Sequence, residues 1–403
     1  MPTEAGRQPE LANELKKRAQ HLATEFEPRK SQGQTQRRLP EENIDAMQAA
    51  GLYRVYNPAR YGGHEMHMQD VLPIIAELSK GCPASGWILA IYQVHSWVVS
   101  LMPEKTQEEV FTDNPDVKIC ASLNPSKNSA RKVDGGFLIE NGSFDFCSGC
   151  DAREWALFGA MIKDNTDTVV DVGCLLVPGD EVNKHDDWFV SGLLATGSCS
   201  LIAENVFVPE HRFLSYSKAT TYQSPGTSIN PAAIYKAAFV PILVLNLAGP
   251  ALGIGERVLR DYVSGIKAKG ERGGAYPLAG MKRIDAAAAH NTVAEATMKI
   301  EVAEMVLDRA GATIRECAEG EQMTRQTGAK VCFQTSYATR ECMEAVRMLF
   351  FQSGGGVLQP DHFMQQAYQD IIAVNVHGFL SHEAHTTLYG SFALGHKNPS
   401  AFL

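Results

Sequence analysis

Apolar residues recur at spacings of three and four from Leu11 through Leu15, Ala19, Leu22 and Phe26, which predicts one stripe of an amphipathic helix. A second helix is expected to start at Pro40 and stop at Gly51. It has Glu41 and Glu42 in its first turn, where the helix dipole favours acids, and glycine at its end. A longer, more uniformly apolar helix runs from about Ala84 to Leu101 and is closed by Pro103.

Near Asp116 the pattern changes to short alternating runs and turn dipeptides, which continue to about Leu214. Phe137–Glu140 reads as a strand between tight turns at Asp134-Gly135-Gly136 and Asn141-Gly142. Val169–Val177 and Leu201–Val208 are further expected strands, and Ser215–Ser228 reads as a linker. Beyond it the helical pattern returns in long pieces. Met281–Cys317 contains no proline, and Gln326–Gln352 carries Val331, Ala338, Cys342, Val346 and Leu349 on one stripe. The expected class is mainly α with a central β domain, divided into a helical domain (1–115), a β domain (116–215) and a helical bundle (216–403). Long apolar helices of this kind commonly form a four-helix core that also builds an oligomer interface.

Composition narrows the partners. A formal net charge of −9, with no basic stripe, argues against nucleic acid. Nine cysteines without regular spacing suit a reducing compartment. The charged N-terminal stretch does not read as a secretory signal. Ala237–Gly255 has no charged residue and is nearly long enough to span a bilayer. Pro241, Pro250, Asn246 and three glycines favour a buried, kinked core helix instead, so the chain is expected to be soluble and cytoplasmic.

Three local motifs then carry a resemblance. Pro58-Ala59-Arg60-Tyr61-Gly62-Gly63, Gly192-Leu193-Leu194-Ala195-Thr196-Gly197-Ser198 with Val206-Phe207-Val208-Pro209, and Ser353-Gly354-Gly355-Gly356 resemble signatures of the acyl-CoA dehydrogenase superfamily. Within it, Val94-His95-Ser96-Trp97, the Asn141–Asp151 segment and Val376-His377-Gly378 are similar to the two-component (group D) flavin-dependent monooxygenases. Examples are the oxygenase components of 4-hydroxyphenylacetate and steroid-phenol hydroxylases. Leu194-Ala195 stands where that pattern has Arg-Gly, and Cys147 and Cys120-Ala121-Ser122 stand where it has serines.

The resemblance implies an N-terminal helical domain, a β-barrel-like middle domain and a C-terminal four-helix bundle. A dehydrogenase needs a carboxylate base. One seat of that base falls on His377-Gly378, and the other lies on the acid-free Ala237–Gly255 helix. The resemblance therefore implies a monooxygenase. Reduced flavin (FMNH2 or FADH2) and molecular oxygen would form a C4a-hydroperoxide that hydroxylates a small aromatic, phenolic or indolic, compound. His377 would be the base and His95 a second group at the substrate. A phenol near pKa ~10 facing an imidazole near ~6.5 leaves about 3.5 units, or roughly 5 kcal/mol, to be supplied by hydrogen bonds or a second positive group. The flavin contacts implied are Ser148, beside Cys147, for the N5 region, then Ser122 and Thr196, with Ser353 and Gly354 at the glycine-rich turn.

Trp97 and Tyr92 read as packing residues. Cys147-Ser148-Gly149-Cys150 has no second pair, and His382 and His385 lie three rather than four apart around Glu383, so no metal site is expected. No Gly-x-Gly-x-x-Gly opens a helix after a strand, which favours a separate flavin reductase as partner. The expected assembly is a homotetramer. The alternatives are oxygenation of nitrogen or sulfur, which needs no base, acyl-CoA dehydrogenation, and a flavin-free relative without activity.

Overall fold

The computed structural model describes residues 8–268 and 281–396. Six helices come first: α1 (Pro9–Phe26), α2 (Lys30–Gln36), α3 (Glu41–Ala49), α4 (Met68–Gly81), α5 (Pro83–Ser100) and α6 (Glu104–Phe111). The stripe expected from Leu11 to Phe26 is the buried face of α1, where Leu15, Ala19, Leu22 and Phe26 turn inward.

Eight strands follow: β1 (Ile119–Ser122), β2 (Ser129–Val133), β3 (Gly136–Phe144), β4 (Trp155–Lys163), β5 (Val169–Pro178), β6 (Asn183–His185), β7 (Ser200–Pro209) and β8 (Phe213–Ser215). They form one sheet in the order β6-β7-β3-β2-β4-β5-β8, with β1 parallel to β4. One expected turn is absent. Asn141-Gly142 lies inside β3, paired with Glu204 and Ala203 of β7. The strand continues because β7 pairs with it in one register on both sides of the dipeptide, past Asn205 at φ 54°. Gly142 is glycine because a Cβ there would meet the Phe144 ring at 2.5 Å. Phe144 itself stacks on Phe158 at 3.8 Å between ring centres, in the middle of the sheet's own core.

The remaining helices are α7 (Tyr216–Thr220), α8 (Pro225–Ile229), α9 (Phe239–Asn246), α10 (Gly249–Ala268), α11 (Ala287–Glu319), α12 (Arg325–Gln352), α13 (Phe363–Asn375) and α14 (His382–Ala393). The segment read as a linker thus contains α7, whose Tyr216 hydroxyl donates to Leu123 O at 2.7 Å, and α8, whose Gly226 N–H donates to Leu101 O at 2.9 Å. The long apolar segment breaks between α9 and α10, just before Pro250, whose missing N–H and ring do not fit a continuous helix. Phe239–Ala268 is long and apolar enough to cross a membrane, but 89% of its most apolar window is buried inside the fold. Its N-terminal part has no acid, but α10 runs on to include Glu256, paired with Lys80, and Asp261, paired with Arg257.

Two cores result. One belongs to the sheet; the other is continuous from α1, α4 and α5 through α9–α13. The helices before and after the sheet therefore bury their apolar faces against each other, and α5 is buried along its whole length.

Candidate functional site

α5 is held against the sheet by polar anchors as well as by packing. Pro83 opens it without wasting a backbone donor, and Trp87 follows one turn later. The Trp87 indole N–H donates to Ser148 Oγ at 3.1 Å. Ser148 Oγ lies 2.8 Å from Ser198 Oγ, which lies 2.6 Å from Thr196 Oγ1, and Thr196 Oγ1 donates to Leu193 O at 2.8 Å. Four side chains from α5 and two loops thus form one hydrogen-bonded row.

Those loops are clamped together. Cys147 N–H donates to Cys199 O at 3.1 Å, and Gly149 N–H donates to Thr196 O at 2.9 Å. The Tyr92 hydroxyl, a turn and a half along α5 from Trp87, donates to Gly149 O at 2.6 Å. Gly149 sits at φ 73°, and a Cβ there would come within 2.5 Å of the Tyr92 oxygen, so both conformation and space require glycine. The second loop is fixed to α13 by Leu193 N–H donating to Asp370 Oδ1 at 2.7 Å. Burial pushes the Asp370 carboxyl up to about 6, opposed by that hydrogen bond and by the Lys30 charge.

His377 caps the short helical turn Gly378–Leu380 after α13, its Nδ1 accepting from Phe379 N–H at 3.3 Å. In the neutral ring this places the hydrogen on Nε2. The imidazole meets the Trp87 ring edge-on at 5.3 Å between centres and keeps part of its surface accessible. His95 has the opposite arrangement. Its Nδ1 lies 2.9 Å from Ile119 O on β1, so Nδ1 carries the hydrogen and Nε2 keeps a lone pair. Burial pushes both imidazoles down to about 4; for His95 the bond to Ile119 O opposes the shift. Both rings are neutral at neutral pH.

The structure therefore brings His377, Ser148 and Thr196 together around Trp87. His95 lies eight residues further along the same helix, about 12 Å along its axis. It shares its anchor strand with Ser122, which ends β1 half-buried. Cys147 is placed differently from the expectation: the residue is fully buried in the sheet core, and its sulfur donates to Phe144 O at 3.2 Å. Cys150 Sγ points instead to Gly197 O at 3.3 Å, and all nine cysteines are free. Ser353 closes α12, its hydroxyl donating to Leu349 O at 2.7 Å, and Gly354 follows exposed at φ 81°. No hydrogen bond or ring contact among the described residues joins this turn to the Trp87 row. Nor is there any group of three or more His, Cys, Asp or Glu placed to hold a metal ion among the described residues.

Trp87, Ser198 and Asp370 are polar contributors that sequence reasoning did not single out. Ser198 stood in the quoted Gly192–Ser198 motif, but nothing in the chain order puts its hydroxyl beside Ser148. Trp87 and His95 are eight apart, a spacing that falls within one broad helix face, but α5 is apolar all round and so no stripe marks that face.

The residues suit a flavin ring. The Ser148 oxygen has one lone pair left after its partners are counted. Phe146, two residues before it, is 67% exposed and held at φ 64°, a conformation costly for a bulky side chain and found at functional sites. Trp188 meets Phe146 edge-on at 6.1 Å, so flat aromatic surface adjoins the row.

Comparison with known proteins agrees with this fold. Residues 10–110 match the family model "Acyl-CoA dehydrogenase, N-terminal domain", and residues 245–382 match "Acyl-CoA dehydrogenase, C-terminal domain". The chain is 30% identical over 363 residues to the flavin-dependent monooxygenase oxygenase subunit HsaA of Rhodococcus jostii, covering 89% of this chain and 92% of that protein. It is 27% identical over 385 residues to the oxygenase component of the FADH2-dependent resorcinol hydroxylase of a Rhizobium species, covering 93% and 92%. The crystal structure of 3-HSA hydroxylase from Rhodococcus sp. RHA1 superposes with a TM-score of 0.91 at 26% identity, over 97% of this chain and 99% of that one. With the two histidines, the hydroxyl row and this fold in place, the chain belongs to the flavin-dependent monooxygenases, as an oxygenase component on the acyl-CoA dehydrogenase scaffold.

Proposed function

We propose that this oxygenase component hydroxylates a small aromatic compound, phenolic or indolic, that lies along α5 between His95 and the Trp87–His377 pair. The observation that carries the reading is the opposite hydrogen placement on the two imidazoles. His95 Nε2 offers a lone pair and is the acceptor for a phenol or indole proton. His377 Nε2–H is a donor on the Trp87 side and stabilises negative charge that spreads into the aromatic ring. The two roles are thus divided, rather than both falling on His377.

Burial sharpens that division. With His95 at about 4, proton transfer from a free phenol near ~10 is uphill by about 6 units, or roughly 8 kcal/mol. A resting ion pair is therefore not formed. The proton moves to His95 as the ring becomes oxygenated, and the hydrogen bond from His377 supplies part of the difference. When bound, reduced flavin would supply the two electrons that activate molecular oxygen, one atom of which enters the substrate while the other leaves as water. Ser148 would hold its N5 edge, Phe146 and Trp188 would offer flat surface to the ring, and the backbone of the Cys147 segment would lie alongside. Thr196 acts on Ser148 through Ser198. Ser122, at the end of β1, lies towards the substrate, and Ser353 with Gly354 serves the distal part of the cofactor.

A separate flavin reductase is the electron source, and the assembly is a homotetramer. The nine free cysteines support a cytoplasmic setting.

The test is His95→Ala supplied with chemically reduced flavin, oxygen and a phenolic substrate. Retained oxygen consumption that releases hydrogen peroxide in place of hydroxylated product is expected. Undiminished hydroxylated product would remove His95 as the proton acceptor.

A further inference from the structure

The row from Trp87 to Leu193 has only one consistent hydrogen assignment. Leu193 O is a carbonyl and only accepts, so the Thr196 hydroxyl, 2.8 Å away, spends its single hydrogen there. Thr196 Oγ1 must then accept from Ser198, 2.6 Å away. The Ser198 hydrogen being used, Ser198 Oγ must accept from Ser148 at 2.8 Å. At the far end the Trp87 indole is a donor only, so Ser148 Oγ accepts from it at 3.1 Å. Every hydroxyl hydrogen points away from Trp87 and towards Leu193. The row is buried, which denies it a competing water: Ser148, Thr196 and Ser198 are each less than a tenth exposed. Its Leu193 end is anchored by Leu193 N–H on Asp370.

Ser148 is therefore an obligate acceptor. It has given its hydrogen to Ser198 and has one lone pair to spare. N5 of reduced flavin carries a hydrogen and can donate to that lone pair. N5 of oxidised flavin is itself a lone-pair acceptor, and two acceptors face to face repel. We infer that Trp87, Ser198 and Thr196 are positioning residues that lock the Ser148 hydrogen away from the cofactor, and so make this site select reduced over oxidised flavin. The inference rests on the reading that Ser148 faces N5. Selection of this kind suits a component that receives its flavin from elsewhere: the spent cofactor is released by the hydrogen-bond polarity that held the fresh one.

The experiment measures dissociation constants for reduced flavin (anaerobically) and for oxidised flavin, and takes their ratio. Ser198→Ala removes the acceptor for the Ser148 hydrogen, which then turns to oxidised N5. The preference for reduced flavin should fall about tenfold, the worth of one such hydrogen bond. Ser198→Thr keeps the hydroxyl and should restore the ratio. Thr196→Val provides an independent route: with no acceptor at Thr196, the Ser198 hydrogen turns to Ser148 and reverses the row, and the same fall is expected. Ser148→Ala separates the two levels of the argument. If it weakens reduced flavin while both relay variants leave the ratio unchanged, Ser148 faces the cofactor but the relay does not set its polarity, and the inference is overturned. If Ser148→Ala changes neither constant, Ser148 does not face N5 and the underlying reading falls with it.

Discussion

At the scale of single residues, the two buried imidazoles and the buried Asp370 carboxyl couple the site to pH in opposite senses. His95 titrates near its ordinary ~6.5 when unfolded but at about 4 when folded. Between those values the unfolded chain binds more protons, so this contribution to stability is complete above ~6.5 and is lost as pH falls through about 4. It amounts to roughly 3 kcal/mol. Asp370 runs the other way. Its folded value of about 6 lies above the ordinary carboxylate, so the folded state holds the extra proton and loses stability as pH rises through that window. Between about pH 4 and 6 Asp370 offsets one imidazole, and the second, His377, also lowered to about 4, leaves a net gain in stability as pH rises.

Asp370→Asn keeps an oxygen for Leu193 N–H and removes the buried charge. It is expected to raise stability near pH 7 by about 2 kcal/mol and to have no such effect below pH ~4, checked by denaturant midpoints across pH. In the proposed role of proton acceptor His95 must be unprotonated, so an acid limb near pH 4 and a rate flat with respect to this group from pH 6 to 8 are expected. A profile of product formation with an acid limb near 6.5 would contradict the burial of His95. Replacing His95 by alanine should cost about 10²–10⁴ in hydroxylation rate, and replacing His377 by alanine about 10²–10³, with reduced-flavin affinity little changed in either. The residue types at these positions were legible from the sequence. Their hydrogen placement was not, because it is set by Ile119 O and Phe379 N–H, and only the fold supplies those partners.

At the scale of elements, the site depends on loops locked in place by backbone contacts. Gly192 packs so closely on α13 that a Cβ would stand 2.2 Å from Gln369 O, a backbone atom that cannot turn aside. Gly192→Ala should lift the Leu193 loop from Asp370 and cost roughly 2–4 kcal/mol in denaturant unfolding. Tyr92→Phe removes only the hydroxyl bond to Gly149 O, and about 1 kcal/mol is expected.

Sequence patterning located the long helices well, because they carry either one apolar stripe, as α1 does, or an apolar surface all round, as α5 does. It failed where a local signal was outvoted by a neighbour. Asn141-Gly142 has the composition of a hairpin turn, yet eight paired positions with β7 carry β3 straight through it. The Ser215–Ser228 segment has a loop's composition, but a buried tyrosine holds short helices there. Tyr92 read as packing, and it does pack, but its hydroxyl also sets the carbonyl beside Ser148.

At the scale of the molecule, the helical parts before and after the sheet were read as separate domains, whereas their apolar faces form one core. Pattern alone shows which faces are apolar, not which face meets which. The arrangement has a functional counterpart: the site is bounded by α5, the sheet loops and the turn after α13, three regions far apart in the chain. The whole molecule should hydroxylate substrate with photochemically reduced flavin and no nicotinamide. A strict requirement for the reductase protein itself, measured as product per flavin reduced, would contradict an oxygenase that takes up its flavin from solution.

The burial of α5 along its whole length has one more consequence. A helix surrounded on all sides fixes the number of residues between Trp87 and His95 as rigidly as their identity. Inserting or deleting a single residue would swing everything beyond it through about 100° and carry His95 off Ile119. The substrate range of such a protein can therefore drift by exchange of lining side chains but not by change of length. In a library of single-residue insertions and deletions, Pro83–Ser100 should be among the least forgiving stretches of the chain.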